Sequence, residues 1–173
     1  MASNFITYTK HGVAESTLLK ATQVGHHYNL VNESKDIDNG SVAVIGDRKR
    51  ADVFEAKVPT KGDKIVLILT APKIYQEYET RMQEESNFYN GKGEVMRAYE
   101  IQDTDRFTLS TEAFNSDAEL AVGKYVFVDG TGYKLTTGEK PNMTEYGFVG
   151  HIYEVAANGN YRIWVDKNTQ VYA

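Results

Sequence analysis

Cysteine is absent from the 173-residue chain, and with it disulfides, thiolate metal sites and cysteine nucleophiles are excluded together. Long hydrophobic runs are also missing. The longest, Ile65 to Leu69, falls far short of the ~20 apolar residues a membrane-spanning helix needs. The amino terminus, Met1-Ala2-Ser3-Asn4-Phe5-Ile6-Thr7-Tyr8, carries neither a basic leader nor an apolar stretch of signal-peptide length, so a soluble chain made in a cytoplasm is expected. Positive charge is in deficit, with a formal net charge of -5. Contact with nucleic acid or an anionic membrane needs a clustered cationic face, so neither is an expected partner. The one dense basic run, Asp47-Arg48-Lys49-Arg50, opens with an acid and reads as a solvated turn.

What is present is the composition of a folded chain, 41% hydrophobic and 25% charged, which argues against disorder. Twelve Tyr and seven Phe accompany a single Trp. Tyrosine pairs a large apolar body with a polar tip, which suits strand faces and wet interfaces alike.

The first forty residues lack a clean period. Segment 1–38 reads as an extended amino-terminal arm leading into an edge strand near Thr22–Val31, and such termini gain order by docking. From Asn39-Gly40, a strong turn dipeptide, the signals sharpen. Ser41–Ile45 is a short β run. In Asp52–Val58 the residues Phe54, Ala56 and Val58 alternate with Glu55 and Lys57, the mark of a half-buried strand. Lys64–Leu69 reads as a strand covered on both faces. Pro72 then opens a helix over Lys73–Glu85, with Ile74, Tyr78 and Met82 on one face. Strands at Glu94–Ile101 and Arg106–Ser110 complete a β-meander over 39–110 whose helix–loop insertion spans about 72–93.

Segment 111–173 reads as a second small barrel or sandwich packed on the first. Lys124–Val128 and Tyr133–Thr136 flank Asp129-Gly130, a hairpin turn whose positions want positive φ. Tyr146–Val155, broken by Gly147 and Gly150, predicts a bent strand, and Tyr161–Val165 follows the Asn158-Gly159-Asn160 turn. The fold class expected is mainly β, with small barrel or sandwich units, one inserted α-helix and an extended amino-terminal arm.

Chemistry is sparse. His11, His26, His27 and His151 read as surface or edge histidines, and adjacent His26 and His27 point to opposite faces of a strand. Asp36-Ile37-Asp38-Asn39-Gly40 begins like a calcium loop, but its glycine is misplaced and position 12 is Asp47 where a glutamate is required. Gly91-Lys92-Gly93 lacks the length of a phosphate-cradling loop. No serine occupies a nucleophile elbow. The carboxylates Glu77, Glu79, Glu84, Glu85, Asp103 and Asp105 fall on a helix face and in a turn where solvation is the ordinary reading. No catalytic residue, metal ligand or cofactor is expected.

Between Asn39 and Val165 a set of phrases recurs in a recognisable order: Asn39-Gly40-Ser41-Val42, Asp52–Pro59, Ala71-Pro72 before a Tyr-rich segment, Asn87-Phe88-Tyr89-Asn90, Arg97-Ala98-Tyr99-Glu100, and Gly123–Gly130. In these the chain resembles the capsid decoration, or cement, proteins of tailed bacteriophages infecting Gram-positive hosts. The resemblance implies a β-barrel-like, non-enzymatic virion protein on the outer capsid surface. Its partner would be the major capsid protein, with a dimer or trimer of the chain itself as a further option. Phe5, Ile6 and Tyr8 of the arm and Tyr75, Tyr78, Phe88 and Tyr89 of the insertion are the contact residues this reading selects. Two alternatives stand beside it. One is a carbohydrate-binding β module of a tail fibre or cell-wall protein, using exposed aromatics such as Trp164; the other is a tail-tube or head–tail joining protein.

Overall fold

A computed structural model describes residues 10–72 and 84–172. In chain order its strands are β1 (Ala14–Glu15), β2 (His27–Val31), β3 (Ile37–Asp38), β4 (Val42–Arg50), β5 (Val53–Lys57) and β6 (Val66–Ile68). There follow β7 (Tyr89–Asn90), β8 (Val95–Glu100), β9 (Arg106–Leu109), β10 (Tyr125–Phe127), β11 (Thr136–Gly138), β12 (Phe148–Val155) and β13 (Tyr161–Asn168). The one α-helix among the described residues, α1, spans Lys20–Val24. The fold is mainly β, as its alternating sequence demands.

Five strands close a barrel in the order β2-β5-β4-β6-β8, and six form a sheet in the order β1-β9-β13-β12-β10-β11. Strands β4 and β6 are the wall the two share. Ala43, Val66 and Ile68 face the barrel interior with Leu30, Met96 and Ala98, while Val42 and Leu67 face the sheet with Phe148, Ile152 and Ile163. Because successive strand residues point to opposite faces, both faces of this wall lie in apolar surroundings. That is why Lys64–Leu69 carries an unbroken apolar run, and each such Leu or Ile contributes roughly 1.5–3 kcal/mol of burial.

The amino-terminal segment departs from the expected arm. Its described part, residues 10–38, is woven into both systems. Strand β1 adds to the edge of β9. Strand β2 is an interior barrel strand, parallel to β5 (Leu30 opposite Phe54) and antiparallel to β8 (Leu30 opposite Met96). Helix α1 ends at Gly25, whose φ of 69° and N–H bond to the Ala21 carbonyl form a left-handed cap. The expected division at residue 111 also moves, since β9 belongs to the sheet. Phe107 and Leu109 are needed to fill the sheet's core, and periodicity cannot tell which neighbour a strand will choose. The helix expected over 73–85 lies outside the described residues except for its end, where Glu85 opens a 3-10 turn over Glu85–Asn87.

Two strands differ in detail. Val58, expected inward, is 41% exposed because β5 ends at Lys57. The Asp129-Gly130 hairpin is wider than a two-residue turn: Phe127 pairs with Thr136, and the intervening loop sends Tyr133 into the barrel core. The bend expected in Tyr146–Val155 is present as a bulge between Val149 and Gly150. A Cβ on Gly150 would sit 2.7 Å from the Trp164 carbonyl oxygen, so only glycine lets β12 and β13 approach there.

Candidate functional site

Three segments distant in sequence meet at one corner of the molecule. Asn39, 5% exposed, is its centre: its side-chain N–H donates to the Thr70 carbonyl at 2.9 Å, and its side-chain oxygen accepts the Thr70 N–H at 2.9 Å. The same oxygen accepts from Asn90 Nδ2 at 3.2 Å, and Asn90 donates also to the Ile37 carbonyl at 2.9 Å. Buried amides satisfied in this way are rigid, because any displacement strands a polar group away from water. Thr70 leads into the insertion, and Asn90 lies in its closing part.

The start of the described chain joins the same place. The His11 N–H donates to the Ser86 carbonyl at 2.7 Å. The His11 ring lies 4.9 Å from the Tyr89 ring, and its Nδ1 is 2.7 Å from Asp38 Oδ1. Lys134 Nζ approaches the other Asp38 oxygen at 3.4 Å. Strand pairing of Asp38 with Tyr89 locks these contacts to the backbone. Of the seven contact residues chosen from sequence, Phe88 is half-buried here and Tyr89 is 44% exposed. Phe5, Ile6, Tyr8, Tyr75 and Tyr78 lie outside the described residues.

Sequence reasoning missed His11, Asp38 and Asn90 as parts of this site. The Asp-x-Asp-Asn-Gly phrase is the signal that pointed to the spot, although its acids serve other ends. Asp36 Oδ1 accepts the Lys92 N–H at 2.7 Å, and Asp38 is held by His11 and Lys134. Among the described residues, no group of three or more His, Asp or Glu side chains is placed to hold a metal ion.

The remaining histidines are also engaged. His26 Nδ1 pairs with Glu100 at 2.8 Å beside Lys64, and His151 Nδ1 pairs with Asp166 at 2.8 Å. Asp105, read from sequence as a solvated turn acid, is 2% exposed. Its carboxylate accepts backbone N–H groups of Gln102 at 2.9 Å and Lys20 at 3.3 Å, which pins α1 to the turn before β9.

Two open recesses, of about 380 and 270 Å³, share Tyr133 as a wall. Its hydroxyl accepts from Asn32 Nδ2 and donates to the Ala56 carbonyl, and Lys35 Nζ lies 4.8 Å from its ring centre. Burial pushes the phenol's pKa above its ordinary value; the Asn32 bond pulls it back and the nearby Glu55 carboxylate adds to the rise. This residue ties the sheet's loop into the barrel.

A sugar-stacking platform requires rings lying in one plane. Trp164 meets Tyr153 edge-on at 89°, Tyr125 is tilted 56° from His151, and Phe127 stands at 68° to Tyr146. Within each of these pairs the rings are steeply tilted to one another. Comparison with protein families, curated proteins and solved structures finds no significant match to the chain.

Proposed function

We propose that this chain is a structural, non-enzymatic protein of a tailed-phage head. It docks on the outer capsid surface and reinforces the shell by bridging major capsid proteins. The observation that carries the reading is the Tyr89 corner. There Thr70, Ser86 and Tyr89–Asn90 are fixed against His11 and Ile37–Asn39 by the bonds of His11, Asn39 and Asn90. A rigid, fully hydrogen-bonded corner that presents Tyr89 to solvent is suited to docking on a large partner. The tilted rings around Trp164 favour this reading over the carbohydrate-binding module.

The test is cosedimentation of the purified protein with expanded empty capsids of the phage that encodes it. Deleting residues 1–9, or replacing Tyr89 by Ala, is expected to lower capsid affinity about tenfold, or ~1.4 kcal/mol, for each change. Unchanged binding by both variants would sink the corner as the docking point. Failure of the unaltered protein to sediment with capsids would sink the function itself.

A further inference from the structure

Three Asn-Gly dipeptides occur in the chain, Asn39-Gly40, Asn90-Gly91 and Asn158-Gly159. Each carries the same latent reaction. Glycine has no side chain to crowd its backbone nitrogen, which can attack the side-chain carbonyl carbon of the preceding asparagine. A carbon–nitrogen bond forms and closes a succinimide ring. The bond to the side-chain nitrogen breaks, and ammonia leaves carrying the proton of the glycine N–H. Water then adds to one or the other ring carbonyl and reopens the ring as aspartate or as isoaspartate.

The fold treats the three sites differently. Asn39 and Asn90 are 5% and 3% exposed. Asn39 bonds to both backbone groups of Thr70, and Asn90 Nδ2 donates to the Ile37 carbonyl and to Asn39. Turning either amide toward the next backbone nitrogen would strand buried polar groups. The Gly40 N–H is itself held by the Ile68 carbonyl at 2.9 Å, and Gly40 is buried.

Asn158 and Gly159 are exposed, in the turn that joins β12 to β13. Asn158 Oδ1 accepts the Asn160 N–H at 3.1 Å, a donor placed on the oxygen that gathers charge as the ring closes. Apart from the chain neighbours of Gly159, no heavy atom lies within 4 Å of where its Cβ would stand. The Gly159 N–H bonds to the Ala156 carbonyl at 2.9 Å, but within the same turn, so local opening frees it without disturbing the core.

We infer that Asn158 is a site of spontaneous deamidation and isomerisation in the folded protein, and that Asn39 and Asn90 are shielded from the same reaction until it unfolds. An isoaspartate at 158 would insert one extra backbone methylene between Val155 and Tyr161, which pair at the end of the hairpin. At Asn39 the damage would be of another kind, because a carboxylate oxygen would face the Thr70 carbonyl and oppose refolding. This chemistry does not depend on where the chain docks.

The experiment incubates the full-length protein in mildly alkaline buffer, folded and in urea, and follows the three peptides by mass spectrometry, with chromatography separating aspartate from isoaspartate. Heavy-oxygen water in the incubation distinguishes conversion there from conversion during digestion. In the folded protein the Asn158 peptide should yield both isomers, about tenfold or more faster than the two peptides that only larger openings expose. In urea the three rates should converge. Asn158→Gln, which must close a larger ring, should stop conversion at that site, with near-UV circular dichroism establishing that the variant is folded. An unconverted Asn158 peptide in the folded protein would overturn the proposal, as would a product that is aspartate alone. So would conversion of Asn39 or Asn90 as fast as Asn158 in the folded protein, or rates at those two that urea leaves unchanged.

Discussion

The Tyr133 hydroxyl accepts a hydrogen bond from Asn32 Nδ2 at 2.6 Å and donates one to the Ala56 carbonyl at 2.8 Å. One side chain from the sheet's hairpin loop thus closes the gap where β2 and β5 part beyond Val31 and Glu55. Tyr133→Phe keeps the ring but strands two buried partners, and should cost about 1–3 kcal/mol in urea unfolding. The sign of its pH dependence is also fixed. A phenol whose folded pKa is raised contributes stability that is fully present below its unfolded value, about pH 10, and is lost as pH rises through the folded one. The alkaline decline in melting temperature should therefore be shallower in Tyr133→Phe.

Asn168 makes a comparable tie, at 6% exposure. Its side-chain oxygen accepts the Ile65 N–H at 2.9 Å, and its amide nitrogen donates to the Ile65 and Ile101 carbonyls at 2.8 Å each. Asn168→Asp is isosteric, yet it turns a carboxylate toward two carbonyl oxygens. It should destabilise by about 3 kcal/mol or more, and by more than Asn168→Ala, as read from urea midpoints. An aspartate variant as stable as wild type would refute this reading of the hub.

Acid should act through Asp63. Burial pushes its carboxyl up, but hydrogen bonds from the Gln170 side chain at 2.9 Å, the Thr60 N–H at 2.7 Å and the Thr60 hydroxyl at 2.8 Å outweigh it and hold the pKa below the ordinary 3.8. A carboxyl so lowered gives stability that is present above its unfolded pKa and is lost as pH falls through the folded one. Melting temperatures measured from pH 6 down to about pH 2 should fall less steeply in Asp63→Asn than in wild type, with the two curves converging at the acid end.

At the Tyr89 corner, His11→Ala removes both the ring contact and the Asp38 bond. Amide exchange at position 11, whose N–H is bonded to Ser86, should accelerate about tenfold, since local opening requires only local contacts to be lost. Exchange at Met96, in the barrel wall, should not change. Equal acceleration at both positions would mean that the corner is not an independent unit.

Much of this architecture was legible in the chain. The alternation in Arg106–Leu109, the unbroken run Ile65–Leu69 and the glycine-bent strand ending at Val155 each carry a strand signal, so their type follows from side chains alone, while their limits shift by one to three residues, as in the strands Val66–Ile68 and Phe148–Val155. Partnership was less legible. His27–Val31 looks like an edge strand because nothing local announces the parallel pairing with Val53–Glu55. The five-residue helix at Lys20–Val24 is too short to show a period, and it takes up part of the stretch Thr22–Val31 expected as an edge strand. At the corner, Tyr89 could be chosen for being aromatic and in a loop. His11 could not, because its roles come from Asp38 and Ser86, which only the folded chain brings near. Trp164 is half-buried on the outer side of β13, between buried Ile163 and Val165; the polar positions two residues to either side, Arg162 and Asp166, are the guide to its side of the strand.

Closure of the barrel carries a consequence for how the chain is made. Leu30 finds Met96 only after β8 has been synthesised, and Ala14 finds Leu109 later still. Emerging from the ribosome, β2 can pair along one edge with β5, but its other edge and β1 wait for more than half of the polypeptide, and contacts so far apart in sequence form slowly. A product halted before Met96 would leave β2 without its antiparallel partner, a bare edge open to pairing with other nascent chains.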